Sequence, residues 1–210
     1  MTRANSVSGR AYVVDGRALT QSAILDSVVD SFEDGGFSEY NGQTAEFGTT
    51  TTQAYSGERS AIKTGSDENH AGIYLSSAQF SDSESKTVAI RYYYDGSNHR
   101  GGVYLADSST GAGYVGYVDP TTYTITSVSD SGTYDSKLAD SNGAPISAGN
   151  WYHAILSHDG GDGVTARLED DSGATIAGPL SVSDASTDPD TVGIWMFDQD
   201  MILDDLAVLS

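Results

Sequence analysis

Thr87-Val88-Ala89-Ile90-Arg91-Tyr92-Tyr93-Tyr94 is the stretch that decides the class of fold. Val88, Ile90, Tyr92 and Tyr94 alternate with Thr87, Ala89, Arg91 and Tyr93, a period of two that gives a strand one buried face. Similar short segments rich in Val, Ile, Tyr and Thr recur at 24–32, 58–63, 72–75, 101–105, 114–118, 123–128, 152–157, 164–168, 191–197 and 203–209. Gly, Asp, Ser and Asn fill the intervals, and no apolar period of 3.6 residues is present. The pattern predicts an all-β fold, a two-sheet antiparallel jelly-roll sandwich, with no helix of consequence.

Charge divides the chain. Its 210 residues hold 10 Lys+Arg against 30 Asp+Glu, a net charge of −20, and no cysteine. Disulfides and thiolate metal sites are thereby excluded. Nucleic-acid binding through a basic face and electrostatic membrane docking are disfavoured, because phosphates and anionic headgroups repel such a surface. Residues 1–20 carry Arg3, Arg10 and Arg17 against Asp15, or +2, which leaves −22 for the remainder. Thr2-Arg3-Ala4, Gly9-Arg10-Ala11 and Gly16-Arg17-Ala18 recur every seven residues, and 11–19 reads as two short strands around Asp15-Gly16. We therefore expect an N-terminal docking or oligomerisation segment at 1–25 and one jelly-roll domain at 26–210.

The acidity has a particular character: 23 Asp and 7 Glu face 7 Arg and only Lys63, Lys86 and Lys137. At molar salt the Debye length falls to about 3 Å, so self-repulsion is screened while hydrated carboxylates keep the surface soluble. This composition predicts a protein of a salt-loving organism or its virus. No apolar run long enough to span a bilayer occurs, and Met1–Ser6 lacks the apolar core of a secretory signal. If the chain begins at its natural start, it is expected to stay inside the cell until lysis releases it.

Five segments carry a family resemblance. They are Asp30-Ser31-Phe32-Glu33-Asp34-Gly35, Tyr55-Ser56-Gly57-Glu58-Arg59-Ser60-Ala61-Ile62, the run 149–160 with Gly149-Asn150-Trp151-Tyr152-His153, the strand 164–170, and Leu203-Asp204-Asp205-Leu206-Ala207-Val208. In this order they resemble the laminin-G-like, concanavalin A-like lectin/glucanase superfamily, with galactose-binding-type carbohydrate modules sharing the two ends. The resemblance implies a jelly roll that binds glycans or proteins, and it makes His153 an outward residue of its strand. It does not imply an enzyme. The glycosidases of the superfamily set Glu-x-Asp-x-x-Glu or Glu-x-Asp-x-Glu on one strand to bring acid and nucleophile together, and none of the seven glutamates here lies in such a strand. Neither His-Glu-x-x-His nor Gly-x-Ser-x-Gly is present.

Sandwiches of this kind often clamp the first and last strands with calcium, which makes Glu33, Asp34, Asp204 and Asp205 the candidate ligands of a structural Ca²⁺. Asp159-Gly160-Gly161-Asp162-Gly163 reads instead as a hairpin turn. For a glycan, flat rings beside hydrogen-bonding groups are required. Eight of the thirteen tyrosines lie between 92 and 134. Alternation gives Tyr92 and Tyr94 to the core, which leaves Tyr93, Tyr114, Tyr117 and Tyr123 as stacking candidates, with Asn98 and Arg100 for hydroxyls. Trp151 and Trp195 are expected in the core.

The combined reading is a non-enzymatic virion protein of a halophilic virus, a tail fibre, spike or head turret. Residues 1–25 would dock it to other virion proteins, and its sandwich would bind a host surface glycan or glycoprotein. A homo-oligomer, a trimer among the options, would add multivalency. A ligand-free capsid decoration protein and a module of a cell-surface polysaccharide-processing protein are the alternatives.

Overall fold

A computed structural model describes the chain except residues 1–10, 15–16, 21–26, 66–69, 82, 131, 184–185 and 210. Strands β1 (Ala11–Val14) and β2 (Arg17–Thr20) pair antiparallel, Ala11 opposite Thr20, as a two-stranded sheet of their own. This is the hairpin expected around Asp15-Gly16. The rest of the proposed docking segment lies outside the described residues.

Two antiparallel sheets form the sandwich. One runs β12 (Thr133–Asp140), β11 (Thr122–Ser129), β10 (Gly113–Asp119), β9 (Gly101–Ala106), β16 (Thr191–Met196), β7 (Ala71–Leu75) and β4 (Tyr40–Gly42). The other runs β15 (Thr175–Val182), β14 (Val164–Asp170), β13 (Asn150–His158), β8 (Lys86–Tyr94), β17 (Ile202–Val208), β6 (Ser60–Lys63) and β5 (Phe47–Thr50), with β3 (Val28–Asp30) also paired to β17. Thr44–Glu46 makes a short 3-10 turn, and the described residues contain no α-helix.

Alternation sets the core as expected in β8: Val88, Ile90 and Tyr92 are buried between the sheets, and Tyr94 packs against them. From β13 and β14 come Tyr152, Ala154, Leu156, Val164, Ala166 and Leu168. The seven-stranded sheet answers with Val103, Leu105, Tyr114, Val118, Tyr123, Ile125 and Ile194. Asp159 Oδ1 accepts the amides of Gly161 (2.8 Å) and Gly163 (3.0 Å), closing the β13–β14 hairpin turn read from its glycines.

Four strands were not foreseen: β4, β5, β12 and β15. All four end or nearly end a sheet, and β12 is mostly exposed, so nothing forces apolar alternation on Thr133-Tyr134-Asp135-Ser136-Lys137-Leu138-Ala139-Asp140. Pro179 sits in β15, where an outer strand tolerates the missing N–H.

Tyr123 shows how tightly the core is specified. Its ring is fully buried, and its hydroxyl donates to the carbonyl of Ile155 across the interface (3.1 Å). Gly116 makes the room, since a Cβ there would lie 2.7 Å from the Tyr123 oxygen. Tyr123→Phe, which keeps the ring and loses the bond, is expected to cost about 1 kcal/mol in urea unfolding. Tyr123→Ala is expected to cost about 3–5 kcal/mol because it leaves a cavity.

Candidate functional site: the aromatic face of the seven-stranded sheet

Side chains of one parity in the seven-stranded sheet enter the core, and those of the other parity face away from the partner sheet. On that outward face Tyr74, Tyr104, Ala106, Val115, Val128 and Trp195 form a second apolar cluster, flanked by half-buried Tyr117, Tyr134 and Phe197. One row crosses the strands as Tyr117, Gly102, Trp195 and Gly72. Gly102 is obligatory, because a Cβ would approach the Gly116 carbonyl to 2.0 Å.

Trp195 is the floor of this face. It is 1% exposed, and its Nε1 donates to the Gly132 carbonyl at 2.7 Å, which draws the β11–β12 turn over it. His70 stacks on the Trp195 ring (5.2 Å, 24°) and on Tyr134 (5.2 Å, 20°), and it meets Phe197 at 4.6 Å. Tyr117 also packs on the tryptophan (5.2 Å, 40°). At the end of the row the Arg100 guanidinium lies 3.8 Å over the Phe197 ring and pairs with Asp198 (3.4 Å), whose carboxylate also accepts the Arg100 amide (2.9 Å). Burial, then the charge of Arg100, pushes the His70 imidazole below its ordinary pKa, so it is neutral at pH 7. Burial raises the Tyr117 phenol. The face therefore offers rings, neutral donors and one self-compensated ion pair.

The structure sorts the candidates. Tyr117 and Arg100 lie on this face, and Asn98 is exposed in the loop that leads to Arg100. Tyr114 and Tyr123 are corrected to the core: they are 3% and 0% exposed and present no ring to a ligand. The reason is parity, since 114 and 117 are three apart on one strand and must face opposite ways. Tyr93 lies on the outward side of the other sheet, against Trp151. Trp195 is buried as expected, but in the outward cluster, and Trp151 is only half-buried. His70, Tyr134 and Phe197 were missed because 5.2 Å ring contacts between residues 70, 134 and 195 exist only after folding.

Of the carboxylates proposed for calcium, Glu33, Asp204 and Asp205 converge on the 55–59 turn. Asp204 Oδ2 accepts the amides of Tyr55 (2.7 Å) and Ser56 (3.2 Å), and its Oδ1 accepts that of Asp205 (2.8 Å). Glu33 Oε1 takes the amides of Glu58 (2.9 Å) and Arg59 (2.8 Å), and Asp205 Oδ1 takes the Ser56 hydroxyl (2.6 Å). Asp34 is apart, exposed and bonded to Gly36 in its own turn. Calcium needs six to eight oxygens, and among the described residues no three His, Asp or Glu side chains group to hold a metal. The hydrogen bonds that these carboxylates do make clasp the 55–59 turn to the last strand.

No family model and no curated protein matches the sequence. Among solved structures, the metal-free lectin I-B4 of Griffonia simplicifolia superposes with a TM-score of 0.48 at 14% identity, over 87% of this chain and 94% of that one. The galectin LEC-6 of Caenorhabditis elegans gives 0.42 at 10%, over 69% and 91%. A carbohydrate esterase of the Shiga toxin-encoding bacteriophage phi24B gives 0.48 at 12%, over 80% and 88%.

Asp204 also makes a pH prediction. Burial first, and the neighbouring Asp205 second, push its carboxyl from 3.8 up to about 7 against the pull of three amide donors. Between those values the native chain holds a proton that the unfolded chain has released, so this group makes stability fall as pH rises from about 4 to 7. The wild type is expected to lose melting temperature across that window more steeply than Asp204→Asn, by scanning calorimetry at fixed salt. Equal slopes would remove Asp204 as the cause.

Proposed function

We propose that this chain is a non-enzymatic glycan-binding domain, with the saccharide lying across the outward face of the seven-stranded sheet. The observation that carries the reading is the half-exposed set His70, Tyr117, Tyr134 and Phe197 around the Trp195 floor, closed at one end by Arg100. Tyr117 and Tyr134 offer apolar ring faces to the C–H face of a pyranose at little entropic cost. Arg100, Asp198 and the exposed Asn98 supply donors and acceptors for hydroxyls. Because the imidazole is neutral and the ion pair compensates itself, attraction rests on stacking and hydrogen bonds, which salt leaves largely intact.

The biological setting we propose is host attachment on the virion of a halophilic virus, as a laminin-G-like member of the lectin/glucanase superfamily. The support is compositional: 23 Asp against three Lys suits brine, and the +2 of residues 1–20 beside an acidic domain suits docking to a particle. In this reading residues 1–25 meet other virion proteins, and a homo-oligomer, for instance a trimer, multiplies weak sites.

A glycan array read in molar NaCl tests the site. Tyr117→Ala with Tyr134→Ala is expected to lower binding about tenfold or more at unchanged far-ultraviolet circular dichroism. Binding that survives the double substitution would move the site elsewhere. An array with no bound glycan would favour the ligand-free decoration protein.

A further inference from the structure

A cleft of about 350 Å³ lies at one end of the eight-stranded sheet, where the start of β13 meets the β14–β15 turn and the loop that leads into β13. That volume falls in the range of small-molecule sites. Trp151, Asn150, Ser147, Asp170, Asp171 and Ser172 are among its lining residues. Trp151 stands between two tyrosines: Tyr93, its cross-strand partner in β8, at 5.2 Å and 51°, and Tyr55 at 5.5 Å and 77°. The tryptophan is thus held by two ring neighbours and remains half-exposed.

The wall of the cleft is braced from beneath. Arg91 is 2% exposed, and its guanidinium lies 3.8 Å over the Tyr55 ring and reaches Asp171 Oδ1 (3.4 Å). The Tyr55 hydroxyl donates to the same oxygen (2.9 Å), and the Tyr55 amide is fixed by Asp204. A buried guanidinium and a clamped phenol so fix the orientation of a carboxylate that is itself exposed, and binding need not pay for ordering it. Asn150 Nδ2 is likewise anchored to the carbonyls of Ser147 (3.0 Å) and Ala148 (3.2 Å).

We propose that this cleft is a second saccharide site, one that takes an uncharged, hydroxyl-rich pyranose against Trp151. The charged side chains lining it, Asp170 and Asp171, are carboxylates, which accept hydrogen bonds and donate none, so a ligand that engages them must bring donors. Sugar hydroxyls make charge-assisted bonds to such oxygens. A uronate or sialate would set like charges together and is rejected. With the aromatic face on the other sheet, a single domain would hold two glycans, one on a sheet face and one at an end of the sandwich; that bivalence rests on the function proposed above, whereas the cleft itself does not.

An array of cello-, xylo-, manno- and chito-oligosaccharides, with oligogalacturonate as the acidic comparison, is read with wild type, Trp151→Ala, Asn150→Ala and Tyr117→Ala. A neutral oligosaccharide is expected whose binding drops about tenfold in Trp151→Ala and at least several-fold in Asn150→Ala, with Tyr117→Ala unchanged. Asn150 is exposed, so its variant reports on the cleft even if Trp151→Ala fails to fold. The proposal is overturned if no neutral oligosaccharide binds wild type, if every binding signal survives Asn150→Ala and any folded Trp151 variant, or if oligogalacturonate competes for the same site. Loss in Trp151→Ala with no effect of Tyr117→Ala on any glycan would sink the first site and leave this one standing.

Discussion

Two-sided strands are the constraint under which this molecule is built. Each strand shows successive side chains to opposite faces, and one face of every sheet must fill the space between the layers. Tyr92, Tyr114, Tyr123, Leu156 and Leu168 meet that demand. Everything of the opposite parity is then free of core duty, and the two sheets use that freedom differently. The seven-stranded sheet spends it on rings: Tyr117, Trp195, Tyr74 and Tyr104. The eight-stranded sheet places Arg91, His153 and Glu169 there, each no more than 3% exposed, with Arg167 bonded to Glu169 at 2.6 Å.

The last strand supplies the second constraint. β17 pairs with β6 through Ile202 and Leu203, then with β3 through Leu206 and Ala207, and the ladder shifts between them. At the break Asp205 takes a left-handed backbone (φ 46°), an uncommon state that Asp adopts more readily than most residues. Amides of the 55–59 turn fall within reach of the break, where Asp204 and Glu33 accept them while Asp205 accepts the Ser56 hydroxyl. A carboxylate buried for this purpose is costly, which the raised Asp204 pKa records. What the cost secures is a fixed Tyr55, and through it a fixed Trp151 and Asp171.

Much of the fold was legible from residues alone. The alternation at 87–94 by itself places Tyr92 in the core, and the glycines of 159–163 announce their hairpin. Parity would also have separated Tyr114 from Tyr117, because residues three apart on a strand cannot share a face. Outer strands such as β12 carry no such signal: half their surroundings are solvent, so polar and charged residues suit them as well as apolar ones.

The aromatic face and the acidic clasp lay beyond sequence reading for one reason. His70, Tyr134 and Trp195 are joined by ring contacts of 5.2 Å across separations of more than sixty residues, and Asp204 meets Tyr55 across 149 positions. By itself the sequence determined the all-β class, the absence of disulfides, the charge contrast between residues 1–20 and the remainder, and the inward parity of its clearest strands. Those properties follow from local periodicity and composition. Only the tertiary structure decided which rings share a surface, and that the terminal carboxylates grip the 55–59 turn. Strand order and register set those neighbours, and no local pattern encodes them.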